Sequence, residues 1–205
     1  YNRQLKICCI FCRNMLQYKG MNEVEIIKFL QSNAGVNFVA LFQFITLFGS
    51  YLGFVILFVV FFIRQRRLSY VFLVTFAIAS IINQILKVII GRERPFEADP
   101  TILNYGGESG YSMPSGHSLS GGLFATFLFY HILTTTKYNS TKVLGGLFCV
   151  IFPFAIAFSR MVLGAHYLSD TLVGIAVGIF FACLGLFVYH KYVRKIKVVV
   201  RIKKE

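Results

Sequence analysis

Charge is scarce in this chain of 205 residues: only 14% are Asp, Glu, Lys or Arg, where a soluble domain carries nearer a quarter. Acids are scarcer still, eight against 21 Lys plus Arg. An ordinary water-facing surface is therefore excluded. The cysteines are also incomplete as a metal set. Cys9 and Cys12 form one C-x-x-C beside Cys8, but no second pair and no two histidines at metal spacing accompany them. Cys149 and Cys183 lie in apolar runs, where a thiol packs as a small hydrophobe. Neither a zinc site nor a disulfide framework is implied, and no internal repeat or low-complexity tract is present.

What the chain has is apolar surface. Hydrophobic residues make up 57%, and the mean hydropathy is +0.69. The formal charge of +13 would suit nucleic acid, but the basic residues cluster beside long apolar runs, as in cytoplasmic loops and tails that meet anionic headgroups. No polar basic domain remains once those runs are removed. The expected partner is the bilayer and a lipid within it, not nucleic acid.

Residues 1–37 form an N-terminal segment. Its apolar stretch, 5–15, is interrupted by Arg13 and too short to span a bilayer. It reads as a membrane-surface segment, a truncated first span, or an extension ahead of Met21; no clear small-residue cleavage site supports a signal peptide. Residues 22–33 read as a short amphipathic helix, with Val24, Ile26, Ile27 and Leu30 on a face lying on the membrane. The run 38–63 is free of charge, and its 26 residues reach about 39 Å as a helix, enough to cross with some tilt. Further spans fall at 68–90, 118–133, 143–158 (with Pro153) and 168–189. The expected fold is all-α, a polytopic transmembrane bundle of five to six spans over 38–190, followed by a basic tail at 191–205. The turn 64–67, the loop 137–142 and the tail hold twelve of the 21 basic residues, so that side is expected to be cytoplasmic. Residues 91–117 and 159–167 then face outward.

Ionisable residues at membrane depth are costly and mark function. Here they are Lys87, Arg94, His117, Arg160, His166 and Asp170, all near the outer ends of four different spans. Asp170 follows His166 by four, a spacing that shares one helix face. An Asp there accepts a hydrogen bond from one imidazole nitrogen and leaves the other free to attack. Alone, such a pair is common on helix surfaces. Pro114-Ser115-Gly116-His117 precedes a span: Pro sets a first helical turn, Gly lets a ligand approach, and the Ser115, Gly116 and His117 amides form an anion site. Alone, it is an ordinary helix start. His117 is placed to give a proton to a leaving oxygen. Lys87 alone would snorkel, and Arg160 alone would anchor a span. With Arg94, two histidines and a helix N-terminus, they make a clamp for phosphoryl oxygens. His131, His190, Tyr105, Tyr111 and Tyr167 suit the interface and carry no assigned chemistry.

Lys87-(six residues)-Arg94-Pro95, then Pro114-Ser115-Gly116-His117, then Ser159-Arg160-(five residues)-His166-(three residues)-Asp170 resemble the three signature motifs of the type 2 phosphatidic acid phosphatase superfamily. All eleven specified positions match in order. The resemblance implies that His166 attacks phosphorus to form a phosphohistidine, that Asp170 orients it, and that His117 protonates the leaving group. Lys87, Arg94 and Arg160, with the Ser115 and Gly116 amides, would hold the phosphoryl oxygens. It implies no metal and no cofactor, and usually six spans. Vanadium haloperoxidases share the motif set but are soluble and larger. A lipid phosphotransferase or a non-catalytic lipid-binding protein is the alternative class. The substrates expected are undecaprenyl pyrophosphate, phosphatidylglycerol phosphate or phosphatidic acid, in a bacterial plasma membrane with the site on the extracytoplasmic side; an endoplasmic-reticulum enzyme would carry the same motifs facing the lumen.

Overall fold

Long apolar segments meet the backbone's hydrogen-bonding demand by folding as helices, each closed on itself. A computed structural model describes residues 22–194, and every regular element there is helical. In chain order these are α1 (Glu23–Ser32), α2 (Val36–Leu47), α3 (Tyr51–Arg64), α4 (Arg66–Ile90), the single turn α5 (Pro95–Ala98), α6 (Gly116–Thr135), α7 (Asn139–Val162) and α8 (Leu168–Val188). A short π turn, Tyr189–Val193, continues α8. The expectations for 1–20 and for most of the tail lie outside the described residues.

The centre of the bundle is α6, which packs against α8 and α7. Small residues let backbones meet there, as interfaces in lipid favour. A Cβ at Gly178 would stand 2.1 Å from the Leu119 carbonyl oxygen, and one at Gly122 would stand 2.6 Å from that of Ile175. Away from this seam, Phe61, Phe72, Phe124 and Phe127 fill the core with Leu68 and Leu123. The Phe61 and Phe127 rings each meet Phe72 edge-on, at 5.2 Å between centroids.

Three expectations are corrected. The run 38–63 is two helices, not one: α2 and α3 meet at a bend of 42°. The break falls at Phe48-Gly49-Ser50, where a Cβ on Gly49 would press on Ile156 at 2.7 Å and on the His117 carbonyl oxygen at 3.1 Å. Ser50 caps α3, accepting a bond from the Leu52 amide. The chain bends where it passes closest to the start of α6. Second, α1 does not offer its apolar face to the membrane. Ile27 packs with Ile102 and Tyr167, and Leu30 packs with Phe42, Met161 and Val162. The loop beyond α4 supplies an apolar counterpart, and protein covers the helix. Third, Pro114 lies one residue before the cap of α6, which is Ser115, and not in the first turn.

Among the described residues three helices are long and apolar enough to cross a membrane, within Arg66–Ala98, Asn139–Val162 and Leu168–Val193, and the bent pair α2–α3 makes a fourth if counted as one span. α6 is 20 residues long but rich in Gly and Ser, and half of it is buried by its neighbours. At one end, the turn between α3 and α4 reaches the end of α6 (Gln65 Nε2 to Thr134 Oγ1, 3.3 Å), and Arg67 Nη1 donates to the Val193 carbonyl at 3.2 Å. The basic turns therefore gather at one end, and the motif residues gather at the other.

Gly178→Leu is expected to lower the melting temperature in detergent, by roughly 1–3 kcal/mol of overpacking. Ile179→Leu, on an exposed position next to it, should leave the melt where it was. Equal melts for the two variants would refute the tight α6–α8 seam.

Candidate active site

The site begins where helices stop. Gly91 takes a left-handed conformation (φ 63°) and ends α4, so the chain turns back and carries Arg92 and Arg94 across the helix ends. Arg94 caps α5 with Pro95 in its first turn. Gly164 (φ 71°) follows α7 and sits where a Cβ would be 2.4 Å from the Leu103 carbonyl oxygen. The tight turn that follows presents His166.

His166 does not share a helix with Asp170. It precedes α8, and Asp170 occupies that helix's third position, accepting from the Tyr167 amide at 2.9 Å. The two still meet: His166 Nδ1 lies 3.6 Å from Asp170 Oδ2, and Ser112 Oγ, 3.4 Å from Nδ1, donates to the same Oδ2. The other nitrogen, Nε2, faces Arg94 Nη1 at 3.4 Å. A guanidinium only donates, so the arrangement assigns the proton to Nδ1 and the lone pair to Nε2. Burial pushes the His166 pKa down to about 4, helped by the Arg160, Arg94 and Lys87 cations and opposed by Asp170. The imidazole is neutral at pH 7.

Arg94 is itself held by backbone carbonyls: Nε donates to Gly110, Nη1 to Ala165 and Nη2 to Ser109, at 2.7 to 3.0 Å. Lys87 Nζ donates to the Tyr111 carbonyl at 2.5 Å. Arg160, 1% exposed, donates to Thr46 Oγ1 of α2 at 3.1 Å and to Glu108 Oε1 at 2.5 Å. Glu108 also lies 3.5 Å from Arg94 Nη2 and 3.8 Å from His117 Nδ1. Burial opposes ionisation of Glu108, but Arg160, His117 and Arg94 outweigh it and hold its pKa below the usual value. One carboxylate thus sits at the meeting point of two expected phosphate ligands, Arg94 and Arg160, and the expected proton donor, His117.

A cavity of about 560 Å³ opens onto this cluster. Lys87, Arg94, Gly116, His117 and His166 line its polar end, with Glu108. Asp170 stands behind His166. Ser115 is different from expectation: its amide donates to the Asp170 carbonyl at 3.1 Å and its hydroxyl caps α6, so the first-turn amides without a partner among the described residues are those of Gly116 and His117. Sequence reasoning did not single out Ser112, Glu108, Arg92 or Asn83. Asn83 lies one turn from Lys87 on α4 and lines the cavity; it is 4% exposed, and its Oδ1 has no partner among the described residues. Glu108 was visible only as one of four acids in the loop 91–117, and Arg92 only as a spacer inside the first motif.

The sequence matches the model of the PAP2 superfamily over residues 68–195. The chain belongs to this superfamily. Among curated relatives, an undecaprenyl-diphosphatase of Sulfolobus acidocaldarius is 28% identical over 170 residues, covering 82% of this chain and 78% of that one. Phosphatidylglycerophosphatase B of Bacillus subtilis is 31% identical over 124 residues, covering 58% of this chain and 57% of its own length. Among solved structures, a transmembrane PAP2-type phosphatidylglycerolphosphate phosphatase from Bacillus subtilis superposes with a TM-score of 0.72 at 22% identity, over 83% of this chain and 85% of that chain. The last likeness concerns the fold.

Histidine-labelled protein in detergent should show one imidazole that titrates near pH 4, lost in His166→Gln. Protonation then belongs to the acid side of about pH 4, and the neutral form to everything above it. A titration of His166 near the ordinary value of about 6.5 would remove the buried, cation-flanked setting described above.

Proposed function

We propose that this protein is an integral-membrane lipid phosphatase that acts through a phosphohistidine at His166 Nε2, without a metal. One observation carries the reading: a neutral imidazole, braced at Nδ1 by Asp170 and aimed by Arg94 at Nε2, closes the polar end of a cavity that runs along α4. Lining positions on α4 extend from Lys87 back to Phe76. Eleven helical residues span about 16 Å, so the cavity has room for a phosphate at one end and the first part of a lipid beyond it, past polar Ser80, Asn83 and Gln84 to Phe76. An amphiphile fits this shape better than a soluble ester.

The chemistry follows from the groups present. Nε2 gives its lone pair to phosphorus while the bond from phosphorus to the leaving oxygen breaks, and His117 delivers a proton to that oxygen. Negative charge on the other phosphoryl oxygens is met by Lys87, Arg94, Arg160 and the Gly116 and His117 amides. Asp170 stabilises the imidazolium character that develops on His166. Water then attacks phosphorus and gives its proton to His117; the bond to Nε2 breaks, and inorganic phosphate leaves with His166 restored. Glu108 is the anion that Arg160 holds in the structure, and an incoming phosphoryl group exchanges with it. The basic turns at the opposite end favour an extracytoplasmic site, with α6 crossing as a fifth, enclosed span. The substrate class is a lipid phosphate or pyrophosphate: undecaprenyl pyrophosphate, phosphatidylglycerol phosphate or phosphatidic acid.

Purified protein in detergent and chelator, given these three lipids and a soluble phosphate ester, is expected to release phosphate from at least one lipid. His166→Ala should lose at least three orders of magnitude, in line with loss of a nucleophile, and remain folded. Activity lost in chelator and restored by magnesium would overturn the mechanism. Release that requires an added acceptor alcohol would make the protein a phosphotransferase.

A further inference from the structure

Helix α1 lies outside the segment matched by the superfamily model, 68–195, yet its first residue reaches the groups that stand behind Asp170. Its first residue, Glu23, holds Arg92: Arg92 Nη2 donates to Glu23 Oε2 at 2.7 Å. The same carboxylate accepts from the Ser169 amide at 2.7 Å and from Ser169 Oγ at 3.0 Å. The other arm of Arg92 donates to Asp170 Oδ1 at 2.6 Å, and its guanidinium stacks over the Tyr167 ring at 4.0 Å. Asp170 has no exposed side-chain surface. Its Oδ2 takes Ser112 and the Tyr167 amide and faces His166; among the described residues Oδ1 has only Arg92.

This division of labour has a physical consequence. A carboxylate can turn about its last torsion, and in doing so it exchanges which oxygen faces the histidine. A planar fork fixed at both ends removes that freedom. Glu23 prevents Arg92 from swinging away, and Ser169 fixes Glu23 in turn. A line of charge-assisted bonds therefore runs from α1 to Asp170, whose Oδ2 stands 3.6 Å from the nucleophilic imidazole.

We propose that Arg92 and Glu23 are positioning residues for His166, and that α1 is part of the catalytic apparatus because it delivers Glu23. The proposal rests on the reading of His166 as nucleophile. In the active protein, Arg92 sets the orientation of the Asp170 carboxylate, Asp170 sets the imidazole tautomer, and α1 locks the first of these steps.

The test uses the full chain with Glu23→Gln, Arg92→Gln, Arg92→Lys and Lys28→Ala. Lys28 binds Asp99 at 2.6 Å and fastens α1 without touching the line to Asp170, so its variant controls for docking alone. Three quantities are read: kcat and KM on the preferred lipid, melting temperature in detergent, and the imidazole tautomer by nitrogen NMR. Expected are kcat losses of roughly 10- to 100-fold in Glu23→Gln and Arg92→Gln, typical of a misplaced catalytic group, with KM changed little. Arg92→Lys should recover part of the rate, Lys28→Ala should keep it, and the Nδ1-protonated form should give way to a tautomer mixture in Arg92→Gln. The proposal is overturned if the tautomer is unchanged in Arg92→Gln, or if Lys28→Ala slows turnover as much as Glu23→Gln. The tautomer is read without substrate, so it tests positioning even if His166→Ala proves active, a result that would sink only the nucleophile assignment.

Discussion

A carboxylate with no water contact must be satisfied by protein, since an unmatched buried charge costs several kcal/mol. Asp170 is that group, and its requirements tie the distant parts of the chain together. Its side chain takes Arg92 from the first motif segment, Ser112 from the loop leading to the second, and the Tyr167 amide from the third. Its carbonyl takes the Ser115 amide, which fixes the start of α6. Three stretches separated by dozens of residues are thus registered against one another by one residue, and the histidine it faces inherits their geometry.

The cations show the same economy. Arg94 directs its donors to the carbonyls of Ser109, Gly110 and Ala165 while keeping an edge toward His166 and Glu108. Its role in the fold and its role in the site coincide, because two of the carbonyls that it satisfies, those of Ser109 and Gly110, belong to the loop that carries Glu108, and the third, of Ala165, adjoins His166. Arg160 joins the same loop to α2 through Thr46. The bend between α2 and α3, one turn beyond Thr46, therefore places the cavity wall at Gly49, Ser50 and Tyr51 close to Arg160.

Much of this was legible in the sequence. His117, Arg160, His166 and Asp170 stood out because ionisable residues beside apolar runs demand a reason, and the helices of the bundle followed from the runs themselves. What escaped was set by contacts rather than by periodicity. The run 38–63 is uniformly apolar, so its break at Gly49 and Ser50 left no trace in hydropathy; it exists because Ile156 and the His117 carbonyl stand close by. The apolar face of α1 was legible, but not its partner, because a membrane and a protein loop present the same apolar character. Asp170 meets His166 through a turn and not along a helix face, an outcome that the spacing of four allows equally. Arg92, Ser112 and Glu108 lie in irregular backbone, where no repeat announces which side chains converge.

The α6–α8 seam divides the molecule into two regimes. At the seam, backbone meets backbone at Gly122 and Gly178, and no larger residue substitutes without moving a helix. Over most of the lipid-facing surface, where Ile81, Ile85, Phe180 and many others are exposed, any residue of apolar character serves equally well. Packing constrains such a protein along a thin interior track and leaves the exterior tolerant of exchange. Many different sequences can then share one shape, and the solved phosphatase that this chain superposes on shares its fold at 22% identity.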